Sequence, residues 1–255
     1  MKFDELDARM RVFETAHDLC VLPGIYMVAR IDGRSFTKLT KEVHEFEAPF
    51  DPRFRDMMVE TTRYLVGEVG LRIVYGYTES DEISLLFHRD DQSFGRKLRK
   101  LNSVLAGEAS AKFTSLLGDP AAFDCRISQL PTRELVIDYF RWRNEDAHRN
   151  ALNAHCYWML RKEGLSATTA TAEVAGKSVA DKNELLFQRG INFAALPQWQ
   201  RRGVGVLWED YEKTGRNPKT GQSTTTQRRR LKTILELPMR DEYDQFVSSL
   251  LEPPD

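Results

Sequence analysis

Two short stretches carry the carboxylates best placed to do chemistry: Asp32-Gly33, and Ser80-Asp81-Glu82. Each sits where an apolar run stops, and each sets a carboxylate beside a small residue. A magnesium ion wants hard oxygen ligands and is usually held by one or two carboxylates, with waters and substrate phosphates filling the rest of its shell. Asp32 and Asp81 at adjacent strand ends would meet that need. Gly33 lets the backbone come close, so its carbonyl can join the ligands and neighbouring N–H groups can face a phosphate. Arg34 adds a guanidinium donor suited to phosphate. On spacing alone a second reading stands beside this one: Asp-Gly simply ends a strand, and Ser-Asp-Glu simply turns a hairpin.

The elements that would position the pair follow from periodicity. Residues 4–19 place Leu6, Met10, Phe13 and Leu19 at helical spacing, an amphipathic helix broken by Pro23-Gly24. Residues 25–31 read as a buried strand stopped by Asp32-Gly33, and residues 40–52, with Pro49 and Pro52, as a loop. A helix is expected over 53–69, with Gly70 as its stop. Residues 71–77 and 83–87 read as strands joined through the polar link 78–82, which makes a β-hairpin the economical solution. A right-handed crossover lays the first strand parallel to one of that pair. If the strand beginning near Asp81 lies beside the first, Asp32 and Asp81 share one edge of the sheet. Glu82, next to Asp81 on a strand, points to the opposite face and reads as a structural partner.

Further along, a long helix over 96–117 turns Leu98, Leu101, Leu105, Ala109 and Phe113 inward, and 123–127 is a short strand. Residues 131–162 form one long helix or two, ended by Gly164, followed by helices over 168–176 and 179–189. Strands are expected over 204–208 and 231–237, a mobile loop over 215–227 from its Gly, Asn, Pro, Lys, Thr and Gln content, and a frayed tail over 252–255.

Composition bounds the alternatives. The 255 residues suffice for a sizeable core, and 41% hydrophobic with 29% charged residues is ordinary for a globular protein. No apolar run approaches the roughly 20 residues that span a bilayer, and Met1-Lys2-Phe3-Asp4-Glu5 carries no apolar signal core, so no membrane association is expected. Three widely spaced cysteines, Cys20, Cys125 and Cys156, point to a reducing, cytoplasmic setting without a disulfide framework. A formal charge of −1 leaves room for nucleic acid only through local patches. Basic clusters exist at 96–100, 141–143, 201–202 and 228–232, and for each one the ordinary account is a solvated surface. Other site patterns fail. Gly176-Lys177-Ser178 has Thr171 where a phosphate-binding loop needs glycine, there is no Gly-x-Gly-x-x-Gly after a strand, and His148 and His155 belong to no His-Glu-x-x-His.

The order of several short runs adds a resemblance. These are Arg30-Ile31-Asp32-Gly33-Arg34-Ser35-Phe36, His44-Glu45-Phe46, Pro49-Phe50-Asp51, Gly76-Tyr77-x-x-Ser80-Asp81-Glu82-Ile83-Ser84, Phe123-Asp124-Cys125-Arg126 and Asp138-Tyr139-Phe140-x-Trp142-Arg143. They continue with Lys182-Asn183-Glu184-Leu185-Leu186-Phe187, Ile191-Asn192-Phe193 and Leu196-Pro197-x-x-x-Arg201-Arg202-Gly203. Together, over roughly residues 5–210, the chain resembles the tRNA-His guanylyltransferase family. That resemblance implies an α+β fold. A polymerase-palm or cyclase-like sheet, partly antiparallel and packed with helices, would occupy residues 1–130. A helical and β-hairpin part over 131–255 would belong to the same compact unit.

The resemblance further implies a 3′-to-5′ nucleotidyltransferase and a homotetramer. Asp32 and Asp81 would be the carboxylates for two Mg²⁺ ions, with the Gly33 carbonyl as a further ligand. Asp32, Gly33, Arg34, Ser35, Phe36, Thr37, Lys38, Ser80 and Asp81 would surround a nucleoside triphosphate. Lys182 and Asn183 would handle the activating nucleotide, and Arg228, Arg229 and Arg230 would contact the RNA backbone. ATP would activate a tRNA 5′-monophosphate, and the 3′-hydroxyl of GTP or another NTP would then displace AMP. The family's eukaryotic enzymes commonly have His at the position of Thr37, Lys at that of Ala48, and His-Ile-Asn-Asn-Leu-Tyr-Asn where this chain has 148–154. These departures favour the guanylyltransferase-like branch, which repairs tRNAs lacking 5′ nucleotides with the opposite strand as template. The alternatives are addition of the extra 5′ G to tRNA-His, a nucleotide cyclase-like enzyme acting on NTP alone, and a non-catalytic RNA-binding module.

Overall fold

The computed structural model describes residues 2–216 and 223–251. Its centre is a six-stranded sheet in the order β4-β1-β3-β2-β5-β6, antiparallel at every pairing. The strands are β1 (Tyr26–Gly33), β2 (Ile73–Glu79), β3 (Glu82–Phe87), β4 (Phe123–Leu130), β5 (Val204–Arg216) and β6 (Ser223–Ile234). The helices are α1 (Phe3–Thr15), α2 (Phe36–Lys38), α3 (Pro52–Gly67), α4 (Leu98–Leu117), α5 (Arg133–Lys162), α6 (Ala167–Val174), α7 (Val179–Phe187), α8 (Gln198–Arg202) and α9 (Asp241–Ser249). From β1 to β4 the chain runs β-α-β-β-α-β, the split β-α-β arrangement, with α3 and α4 as crossovers. The α+β class expected from the sequence is therefore the class observed.

Strand alternation decides which helix covers which face. Met27, Ala29, Ile31, Ile83 and Leu85 pack under α3 and α4. Tyr26, Val28, Tyr75, Tyr77 and Leu86 face the other way, against Val136, Tyr139 and Phe140 of α5 and Tyr243 and Val247 of α9. The far half of α5 leaves the sheet and builds a third cluster with α6, α7 and Phe193. That helix is one unbroken element of 30 residues, so the same rod backs the sheet and frames the helical region.

Several local expectations change. The start of the expected loop 40–52 is helical instead, since Leu39–Val43 forms a turn of π-helix that continues α2. The loop proper is 44–51, and Asp51 ends it by accepting the N–H of Arg53 at 2.7 Å as the N-cap of α3. The segment 215–227 is not a loop in its described part. Ser223–Gln227 pairs along β5 to the Arg216↔Ser223 register, because cross-strand partners such as Gln227 and Glu212, 2.9 Å apart, compensate for turn-like composition. The mobility expected of 217–222 and the fraying expected of 252–255 lie outside the described residues. α1 forms, but none of its residues is buried, and Leu6, Met10 and Phe13 stay exposed. α8 and α9 carried no clear periodic signal. Among the described residues no helix is long and apolar enough to cross a membrane.

Candidate active site

β3 lies between β1 and β2, so the turn joining β2 to β3 comes up beside the end of β1. Asp32 stands opposite Glu82 in the β1–β3 register, and one step on the backbone N–H of Gly33 donates to the carbonyl of Asp81 at 3.0 Å. The two aspartates therefore share one edge of the sheet. The β2–β3 connection is a two-residue turn, Ser80-Asp81, and Ser80 takes a left-handed φ of 47° to close it. A side chain on Gly33 would lie 2.5 Å from the ring of Phe36 and 2.9 Å from Cβ of Asp81, so only glycine lets these two strand ends approach. Phe36 is buried among Phe54, Phe113 and Phe123, which fixes the turn after Gly33 from beneath.

The charges at this edge do not cancel. Burial, helped by the Asp32 carboxylate, pushes the Asp81 carboxyl up to about 6, and its one side-chain partner among the described residues is the Ser80 hydroxyl at 3.1 Å. Among the described residues Asp32 has only Arg126 at 3.3 Å and Arg30 at 3.7 Å, both through Oδ2. Glu82 faces away and accepts from Arg30 and Arg143, as its alternation with Asp81 requires. Among the described residues no group of three or more His, Cys, Asp or Glu side chains forms a metal cage. A pair of carboxylates at one sheet edge suits an ion that keeps part of its shell for water and phosphate, as Mg²⁺ does, and does not suit zinc. An under-compensated carboxylate pair is also what a divalent cation would neutralise. The residues present therefore fit the metal.

Beside Asp81 opens a cleft of about 550 Å³ between the sheet edge and α5. Phe46, Phe50, Phe54, Trp158 and Trp199 supply aromatic walls, Lys41 and Arg55 supply cations, and Phe36, Thr37, Ser80 and Asp81 form the end next to the carboxylates. Aromatic walls with a few polar groups and a charged end are what a nucleotide needs, since any base can stack on a ring face.

The remaining expected site residues are scattered more widely. Arg34, Ser35, Thr37 and Lys38 lie exposed on the turn and on α2 next to Asp32, and neither Arg34 nor Lys38 has a carboxylate partner among the described residues. Lys182 and Asn183 sit on α7 and do not line the cleft; the Asn183 amide donates to the carbonyl of Val179. Ser178 caps that helix, which disposes of the Gly176-Lys177-Ser178 fragment as a phosphate loop. Arg228, Arg229 and Arg230 lie on β6, in the β5–β6 arm. Arg230 is engaged by Glu209 at 2.8 Å and stacks over Tyr211, Arg229 stacks over Trp208, and Arg228 has no carboxylate partner among the described residues.

Each of the other basic clusters hides one arginine among cations that are exposed or half-exposed. Arg96 is buried and donates to the carbonyls of Val21, Ile25, Arg89 and Asp91. Arg143 and Arg202 are likewise buried, against carboxylates of the sheet turn and of α5. The aromatic cleft also escaped the sequence, because its walls come from segments more than 100 residues apart with no shared period. The only available signal was indirect, since Pro49-Phe50-Asp51 and Leu196-Pro197 belong to the runs behind the resemblance.

Comparison with known proteins shows what the whole chain is similar to. Residues 7–131 match the family described as tRNAHis guanylyltransferase, and residues 134–243 match the one described as Thg1 C terminal domain. The chain is 35% identical over 200 residues to a probable tRNA(His) guanylyltransferase of Drosophila melanogaster, spanning 74% of this chain and 69% of that one. It is 33% identical over 206 residues to the tRNA(His) guanylyltransferase of Neurospora crassa, spanning 75% and 69%. Among solved structures, a bacterial tRNA(His) guanylyltransferase (Thg1)-like protein in complex with GTP superposes with a TM-score of 0.75 at 27% identity, covering 97% of this chain and 99% of that one. The tRNA(His) guanylyltransferase of Saccharomyces cerevisiae gives a TM-score of 0.73 at 28% identity, covering 81% and 93%.

Proposed function

This chain belongs to the tRNA-His guanylyltransferase family, and on that footing we propose that it adds nucleotides in the 3′-to-5′ direction to the 5′ end of tRNA, restoring tRNAs that lack 5′ nucleotides. The observation that carries the proposal is the meeting of Asp32 and Asp81 at one sheet edge, where Asp81 lines an aromatic cleft. The repair reading draws support from the near end-to-end correspondence with the bacterial guanylyltransferase-like protein, against 81% coverage with the yeast enzyme. Thr37 and Ala48, at positions where His and Lys are common, point the same way. A cytoplasmic homotetramer completes the proposal.

The reaction has two parts. An oxygen of the tRNA 5′-monophosphate attacks the α-phosphorus of ATP, a P–O–P bond forms, and pyrophosphate leaves. The 3′-hydroxyl of an incoming NTP then attacks the activated 5′ phosphorus, and AMP leaves. Two Mg²⁺ ions, held by Asp32, Asp81 and the Gly33 carbonyl, would supply neutralisation of the phosphates and acidification of the attacking hydroxyl. Asp32 and Asp81 act as ligands on this account, and neither is a general base. The aromatic walls stack the base and exclude water from the end next to the carboxylates. Arg34 and Lys38, exposed beside Asp32 without carboxylate partners among the described residues, meet phosphate oxygens. Arg228 reaches the RNA backbone from the β5–β6 arm.

Incubation with Mg²⁺, ATP, GTP and a 5′-labelled tRNA lacking its first nucleotide tests the repair reading. Extension by a residue matched to the opposite strand is the expected result. Extension confined to full-length tRNA-His would assign the extra-G activity instead. Conversion of NTP without any RNA would assign a cyclase-like enzyme.

A further inference from the structure

The Ser80-Asp81 turn rests on an unusual base. Glu79 and Glu82, the last residue of β2 and the first of β3, stand directly opposite each other in the ladder. Like charges in that position repel and open the pair. Arg143 of α5 lies between them. Its Nη2 donates to Oε1 of Glu79 at 2.9 Å and to Oε2 of Glu82 at 2.5 Å, and its Nη1 donates to Oδ2 of Asp146 at 3.2 Å. The Arg143 side chain is 2% exposed, so water does not replace these contacts. Oε1 of Glu82 accepts from Arg30, two residues before Asp32. One buried cation thus ties both feet of the turn bearing Asp81, and through Glu82 and Arg30 it reaches the strand bearing Asp32.

We propose that Arg143 is a positioning residue for divalent-cation binding: by clamping Glu79 and Glu82 it holds the Ser80-Asp81 turn closed and keeps the Asp81 carboxylate facing Asp32. This rests on the reading of Asp32 and Asp81 as the metal ligands. Without the clamp, Glu79 and Glu82 lose the donor they share at the foot of a turn that already carries Ser80 at a left-handed φ, and the ligand edge loosens. Arg143 touches neither substrate nor metal on this account. Because α5 also walls the cleft through Ala147, Asn150 and Trp158, one helix sets both the nucleotide wall and the metal edge.

The test is Mn²⁺ binding to the full chain, read by electron paramagnetic resonance of the free ion, well below the Tm of every variant. The variants are Arg143→Lys, Arg143→Met, and Arg143→Met combined with Glu79→Gln and Glu82→Gln. The last removes the clamp without stranding buried charges, so it stays informative where Arg143→Met alone fails to fold. Wild-type protein is expected to bind Mn²⁺, and Asp81→Ala to lose that binding. Each variant lacking the guanidinium is expected to bind about 10-fold more weakly or worse, as outer-shell changes at metal sites do. The metal concentration for half-maximal nucleotide addition should rise in step. Arg143 variants that are folded and bind Mn²⁺ at the wild-type Kd would overturn the clamp alone. Wild-type protein that binds no Mn²⁺, or Asp81→Ala protein that binds it unchanged, would overturn the metal reading and the clamp with it.

Discussion

Gly33 donates its backbone N–H to the carbonyl of Asp81 at 3.0 Å. That single bond joins residues 48 positions apart in sequence and brings the carboxylate of Asp32 to the same sheet edge as that of Asp81. Everything proposed for this chain depends on that closeness, and Gly33 makes it possible by having no side chain.

Replacing Gly33 tests the approach itself. A Cβ there would meet the Phe36 ring at 2.5 Å and Cβ of Asp81 at 2.9 Å. Phe36 is locked among three other rings and cannot turn aside. Gly33→Ala should destabilise the fold by about 1–3 kcal/mol, the usual cost of overpacking, and should reduce nucleotide addition far more than that loss explains. Denaturant melts and single-turnover extension, run on the same preparation, check the two effects.

Asp51 sets up the loop that lines the cleft. Its carboxylate accepts the N–H groups of Glu47 and Arg53 and the Arg53 guanidinium, and these hold its pKa well below the usual carboxylate range. Loss of such an N-cap costs about 0.5–2 kcal/mol, so Asp51→Ala should lower stability by at least that much near neutral pH. The sign of the pH effect follows from the depressed folded pKa. The carboxylate contributes fully above its unfolded pKa of about 3.9, and the contribution fades as pH falls below it. The stability gap between wild type and Asp51→Asn should therefore shrink from pH 6 to pH 2, as followed by urea melts at each pH.

The arm residues separate by their partners. Arg230 is held by Glu209 and covers Tyr211, whereas Arg228 has no carboxylate partner among the described residues. A guanidinium already neutralised by a neighbour releases fewer counterions on meeting phosphate. Arg228→Ala should reduce the salt slope of tRNA binding by about one, and Arg230→Ala should reduce it less. Filter binding across a range of KCl concentrations decides between them.

The sequence carried the skeleton of the site but not its surroundings. The strand end at Asp32, the hairpin and the crossover are local or topological facts that periodicity with turn chemistry reports, although the strands run on to Glu79 and from Glu82 where the sequence reading left 78–82 as the link. Spacing alone could not separate a metal edge from two ordinary turns, because the deciding feature is the Gly33–Asp81 bond between distant segments. The basic clusters misled for a related reason. Arg96 looks like surface in a run of five residues containing four cations, yet its guanidinium is the hub for four backbone carbonyls of two loops. A buried, hydrogen-bonded arginine has the same letter as a solvated one. The β5–β6 arm was hidden by turn-like residues that pair only because each faces a partner across the ladder.

Single-turnover extension of a 5′-truncated tRNA with saturating Mg²⁺, ATP and GTP asks whether Asp32 and Asp81 together support nucleotide addition to a tRNA 5′ end. Wild type, Asp32→Ala and Asp81→Ala are compared, with tRNA affinity measured in parallel. Both variants should lose addition by about 1000-fold or more, the scale on which removing a main electrostatic contributor is felt, while tRNA binding stays near wild type. Either variant extending the RNA at the wild-type rate would contradict that joint role.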